Sequence, residues 1–165
     1  MFFLELEQIF NNEGSQLPIE HSFDMSDYEF GSVHPISSPV KVTGEVKNST
    51  GIVSVSAQAE LEYSAGCDRC ATLVTRNYKV PVSHILVTEL NDKNNDDFTV
   101  VPSMRLDLDE LVTEDVLLYL PSKFLCKDDC NGICSICGTN FNEDSCSCKK
   151  PIDPRLEVLQ QLLDK

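Results

Sequence analysis

Positive charge and histidine are what this 165-residue chain has least of. Its 13 Lys and Arg stand against 27 Asp and Glu, a formal net charge of −14, and no Lys or Arg occurs before Lys41. A surface of that sign repels phosphate, which disfavours non-specific binding to nucleic acid. The three histidines, His21, His34 and His84, stand apart from every cysteine pair and read as surface or packing residues. With no Glu-x-x-His and no nucleophile elbow, no catalytic constellation is found, and the reading is of a protein that is not an enzyme. No apolar run approaches the roughly 18 residues of a membrane span. The opening "MFFLELEQIF" carries two glutamates and no basic leader, and is too short for a signal peptide. These absences predict a cytoplasmic protein without membrane contact, in a reducing compartment where close-set cysteines more often hold metal than form disulfides.

Cysteine is abundant by contrast, with eight residues, six of them between 126 and 148. Cys134-Ser-Ile-Cys137-Gly138 has the spacing of a zinc knuckle: two intervening residues let both sulfurs reach one ion, and the following Gly permits a tight backbone turn. Cys146 and Cys148, two apart on extended backbone, point to the same side and complete a local set of four. Cys126 and Cys130 are then left over, as are Cys67 and Cys70 in "CDRC" far upstream. Joining distant segments costs entropy that grows only slowly with loop length. Two four-cysteine zinc sites are therefore predicted, one from Cys67, Cys70, Cys126 and Cys130, the other from Cys134, Cys137, Cys146 and Cys148.

Energetics favour metal here. Between Cys126 and Lys150 the only aliphatic or aromatic residues are Ile133, Ile136 and Phe141, too few for a core. Structural zinc supplies roughly 10 to 16 kcal/mol in comparable peptides. Four thiolates also suit iron, and spacing does not separate the two metals. A thioredoxin-like role for Cys67 and Cys70 fits poorly, because the pair lies between strands instead of opening a helix in a βαβ unit. Each zinc tetrathiolate carries about −2, which Arg69, Lys127, Lys149 and Lys150 could screen. Those residues, with Arg76 and Arg155, are equally candidates for contact with a partner.

The remaining chain reads as α+β, mainly β: an antiparallel sheet or partly open barrel with one main helix, a small zinc-ribbon-like C-terminal appendage and a short terminal helix. Residues 1–36 form an acidic segment, a strand over Phe2 to Phe10 followed by a polar stretch. A β-rich core is expected over 37–125. Val53, Val55, Ala57, Ala59, Leu61 and Tyr63 alternate with polar residues, and Ser49, Thr50 and Gly51 mark a hairpin before them. Alternation resumes at Val74, Tyr78, Val80, Val82 and Leu86, which places Cys67 and Cys70 at a hairpin tip. "TELNDKNNDDFT" at 88–99 lacks the central Gly and terminal Glu of a calcium loop and reads as a solvated connection. Asp107 with Glu110 resembles a capping box for a helix near 108–120, its apolar face carrying Leu111, Val112 and Leu118. The zinc module is expected over 126–150, and a helix over 151–165 with Leu156, Leu159 and Leu163 on one face.

"CDRC" at 67–70, "LP" at 120–121, C-x3-C-x-G-x-C-x2-CG from Cys126 to Gly138, Asn142, "C-x-C" at 146–148 and "DPRL" at 153–156 together resemble the YceD family, the large ribosomal RNA subunit accumulation proteins. The resemblance covers roughly residues 40–165. It implies a small bacterial-type cytosolic, β-rich protein associated with accumulation of 23S ribosomal RNA and large-subunit biogenesis. Some members keep the first pair and lose the compact cluster, as two separable sites would allow. With a charge of −14 the expected partner is a basic protein, a ribosomal protein or assembly factor, and any contact with a 23S rRNA precursor would run through the cysteine regions. A redox-regulated zinc chaperone or thiol sensor is the alternative.

Overall fold

The alternation of residues 40–63 builds the middle of a curled five-stranded sheet in the computed structural model, which describes residues 1–30, 33–90 and 97–148. The expected helix over 151–165, with Lys149, Lys150 and Arg155, lies outside those residues. Strand β3 (Val40–Ser49) turns into β4 (Ile52–Gly66) through Thr50 and Gly51, both at positive φ, 53° and 83°. That is the turn whose twist matches the twist of the strands it joins. The buried Asn48 fixes it, accepting from the Gly51 amide at 3.1 Å while its Nδ2 donates to the Ile9 carbonyl at 2.8 Å. Ser49 pairs with Ile52 and Gly44 with Ala57, so Val53, Val55, Ala59, Leu61 and Tyr63 all turn inward.

Strand β5 (Leu73–Val87) lies beside β4 and buries Val80, Val82 and Leu86. The hydrophobic stripe of helix α2 (Leu108–Tyr119) buries Leu108, Leu111, Val112 and Val116. Asp107 caps that helix as expected, its carboxylate accepting from the Asp109 and Glu110 amides at 3.1 and 3.2 Å. Leu118 departs from the expectation: it is 85% exposed. At 100° per residue it sits on the flank of the stripe, two residues beyond Val116.

The N-terminal segment also differs from its sequence reading. Only β1 (Phe3–Glu5) is extended there, antiparallel to β7 (Arg105–Asp107), and Leu6, Ile9 and Phe10 then take helical spacing in α1 (Glu7–Asn11). The stretch read as polar loop contains β2 (Gln16–Phe23), paired antiparallel with β3 from Gln16–Lys47 to Phe23–Val40. Pro18 disguised it, yet β2 is the edge of the sheet, where a missing N–H is tolerated. The opposite edge is β6 (Phe98–Val100), parallel to Ile85–Val87 of β5. His84 ties these elements together, 2.8 Å from Asp115 of α2 and 3.3 Å from Thr99 of β6. Among the described residues no helix is long and apolar enough to cross a membrane.

The chain divides into two compact units, Met1–Ala65 with Val74–Ser122, and Gly66–Leu73 with the chain from Lys123 onward. The first holds the sheet and α2. The second holds every cysteine.

Candidate metal centres

Eight free cysteines form two groups of four, Cys67, Cys70, Cys126 and Cys130 in one and Cys134, Cys137, Cys146 and Cys148 in the other. Within each group one sulfur per residue lies within 4.8 Å of all the others. Cys67 Sγ stands 3.8 Å from Cys130 Sγ, and Cys70 Sγ 3.5 Å from Cys126 Sγ. A tetrahedron with metal–sulfur bonds of about 2.3 Å has edges of about 3.8 Å, close to both of these separations, so the first group could hold a zinc-sized ion. The second satisfies the same outer limit, and both donor sets are purely thiol.

The first half of each group is the same local structure. In the loop between β4 and β5, Cys67 donates its amide to the Thr72 carbonyl at 2.9 Å and accepts at its own carbonyl from Ala71 at 2.8 Å. In the later segment Cys134 donates to the Thr139 carbonyl at 2.8 Å and accepts from Gly138 at 2.9 Å. The residue after the second cysteine takes positive φ in both, Ala71 at 58° and Gly138 at 75°. Gly138 adopts that conformation freely, whereas Ala71 holds it against its Cβ, at a cost of about 1–2 kcal/mol. In each, a threonine two residues past the second cysteine brings its hydroxyl to the sulfur, Thr72 at 3.3 Å from Cys70 and Thr139 at 3.1 Å from Cys137. The signal lay in the sequence as a repeated C-x2-C-x-T, and the reading of cysteines alone passed over it.

The two segments of the first centre are held by contacts that do not involve sulfur. Asp68 donates its amide to the Phe124 carbonyl at 2.9 Å, and its carboxylate accepts from the Phe124 amide at 2.6 Å. Arg69 donates to the Cys130 carbonyl at 2.9 Å. Its guanidinium braces the backbone of a cysteine from the opposite segment. Asn142 reaches Cys130 Sγ at 3.2 Å through Nδ2 and accepts from the Asn131 amide at 2.9 Å, which links the loop of the second centre to a sulfur of the first. Lys127 stands 3.8 Å from Asp129 on the surface, a weak pair. Arg76 stands on β5, outside this unit.

Burial alone would raise the Cys67 thiol, but amides of Cys126, Cys70 and Arg69 directed at its sulfur bring it down to about 6. Cys126, desolvated and facing Cys130, Cys70 and Cys67, is pushed up to about 12. The second centre repeats the division. The Thr139 hydroxyl and amide lower Cys137 to about 6, while Cys137 and burial push Cys148 up to about 12. Four adjacent thiols cannot all ionise unless a cation compensates them. At neutral pH, Cys126 and Cys148 therefore keep protons that an incoming ion must displace. Zinc affinity is expected to fall on acidification, about tenfold per pH unit for each proton displaced, and more steeply below about pH 6, where Cys67 and Cys137 also protonate. Competition against a chelator of known affinity across that range measures the slope, and a flat profile would contradict it.

Burial distinguishes the centres. Cys67, Cys70 and Cys130 are buried against Leu125 and Cys126, whereas Cys137 and Cys148 are exposed. Ile133 and Ile136 are exposed as well, at 42% and 52%, so apolar packing does little for this stretch. No curated protein and no solved structure matches the chain. The family model described as large ribosomal RNA subunit accumulation protein YceD matches residues 55–163. That span contains both knuckles and all eight cysteines, and the chain belongs to the YceD family.

Proposed function

We propose that this chain is a non-enzymatic, cytoplasmic factor in large-subunit ribosome biogenesis, needed for 23S rRNA accumulation, that works as a zinc-stabilised binding protein. The observation that carries the reading is the pair of all-cysteine centres within a family named for large-subunit RNA accumulation. All-thiolate zinc sites are closed, with no position for a reactive water, so two zinc ions would serve architecture. Charge favours a basic protein as partner. Met1–Ala65 and Val74–Ser122 together contain 19 acidic and 6 basic residues, whereas Gly66–Leu73 and the chain after Ser122 contain 8 and 7. A ribosomal protein or assembly factor would meet the first unit. A 23S rRNA precursor, if touched, would meet the second through Lys127, Lys149, Lys150 and Arg155, with Arg69 keeping its loop in shape.

Affinity capture from lysate with and without ribonuclease tests this. Large-subunit proteins should co-purify in both conditions, and their absence from both would overturn the proposal. The exposure of Cys137 and Cys148 supports a second reading, a thiol sensor that loses zinc from the outer centre on oxidation. Mild peroxide would then release one zinc ion and confer suppression of a client's aggregation. Retention of both ions would count against it.

A further inference from the structure

On the first unit, Tyr28, Phe30, Tyr63, Leu117, Leu120 and Pro121 enclose a groove of about 200 Å³, room for one large side chain. Its surroundings are apolar and open. Phe30 is 57% exposed and Val33 49%, the two joined by reciprocal backbone bonds of 2.8 and 3.1 Å. On the last turn of α2, Leu118 is 85% and Tyr119 49% exposed. Tyr119 continues an edge-to-face row with Tyr78 and Tyr63, the centroids 6.4 and 6.1 Å apart. A cluster of this kind, rich in aromatic residues and rimmed by charge, is what binding surfaces present.

The rim identifies the occupant. Neither the segment 24–33 nor α2 contains a Lys or Arg, while Asp27 and Glu29 are exposed on either side of the lining residue Tyr28. The C-terminus of α2 also lacks the basic residue that commonly complements a helix dipole, so its negative end at Tyr119 is left to the groove. A second copy of the chain would bring the same carboxylates, and RNA would bring phosphates; both are repelled. We infer that this groove docks a Lys- and Arg-rich protein segment carrying a single aromatic or aliphatic anchor, the anchor entering between Phe30 and Leu117 and the cations meeting Asp27, Glu29 and the end of α2. The inference rests on the proposed role in large-subunit assembly and locates the contact within it.

Overlapping synthetic peptides covering the basic extensions of large-subunit ribosomal proteins, titrated by fluorescence anisotropy against the full zinc-loaded chain, provide the test. Some basic peptides should bind, with affinity that falls as salt rises. Changing the peptide's anchor to Ala should weaken binding at least about tenfold, and Phe30→Ala with Leu117→Ala in the protein about 10- to 100-fold. Both protein positions are solvent-exposed, so the fold should survive; the anchor change leaves the protein untouched and tests the contact independently. Absence of any binding peptide, equal binding of anchorless peptides, or an unaffected double variant would each overturn the inference. So would self-association by sedimentation that the double variant abolishes, since the occupant would then be a second copy. If ribonuclease-controlled capture still recovers large-subunit proteins with the double variant, the groove is wrong and the assembly role stands. If the wild type recovers none, it is the assembly role that falls.

Discussion

Stripping metal from the purified protein with a strong chelator is expected to unfold one unit and leave the other standing. Amide hydrogen exchange should rise across Gly66–Leu73 and Lys123–Cys148, while β2 to β5 keep their protection. The asymmetry follows from what each unit is built on. The sheet and α2 bury Val40, Val42, Val46, Val53, Val55, Val80, Val82, Val112 and Val116 almost completely. The cysteine unit buries chiefly its own sulfurs with Phe124, and comparable zinc peptides draw roughly 10 to 16 kcal/mol from the ion. Metal analysis should give two zinc ions per chain. Cys67→Ser with Cys70→Ser should remove one and spare the centre at Cys134, Cys137, Cys146 and Cys148; retention of two ions in that variant would disprove the first centre, and chelation that melts the sheet equally would disprove the division of labour.

Gly44→Ala is the substitution expected to damage the sheet most for the fewest atoms. A Cβ there would fall on the Ser56 carbonyl oxygen and the Ala57 Cα, and lie 2.5 Å from the Ala57 Cβ. Two of those three atoms are backbone, so no side chain can rotate out of the way. The strands themselves would have to part along the Gly44–Ala57 pairing. Overpacking a core commonly costs 1–3 kcal/mol, and a clash against backbone belongs at or beyond the upper end, about 3 kcal/mol or more. For a domain stable by some 5–15 kcal/mol that is a large fraction, visible as a fall in melting temperature of about 10 °C or more. Ala57→Gly should not rescue the variant, because the carbonyl and Cα remain. A Gly44→Ala protein melting within a degree or two of wild type would show that the strands are not so close.

The parts that were legible in the sequence share a local cause. Capping of α2 by Asp107, the turn at Thr50 and Gly51, and the inward alternation from Val53 to Tyr63 each depend on residues a few positions apart. The pairing of Cys67 and Cys70 with Cys126 and Cys130 is not local, but a fourfold ligand requirement restricted the choices enough to anticipate it. What was missed needed tertiary knowledge. Pro18 argues against a strand until β2 is known to be an edge, and Leu118 fits an apolar stripe until α2 is seen to be covered only as far as Val116. The three-residue strands β1, β6 and β7 are too short to carry a period of their own. Thr72 and Thr139 were overlooked for another reason: a hydroxyl beside a thiol is an ordinary residue until its distance to sulfur is known.

The two centres differ in how far the chain must travel to close them. Cys70 and Cys126 are 56 positions apart, whereas the second centre draws on a single short stretch. By loop-closure entropy alone that difference is worth only about 1.5 kcal/mol. Its weight is in timing. During synthesis the knuckle at Cys67 leaves the ribosome long before its partner pair exists, and its two thiols wait without them while β5 and α2 are made. The centre at Cys134 can close within moments of its last cysteine appearing. If zinc fills both centres as proposed, its scarcity at that stage would strand chains with a finished outer centre and an open inner one, and the older, buried thiols would be the ones exposed to mispairing.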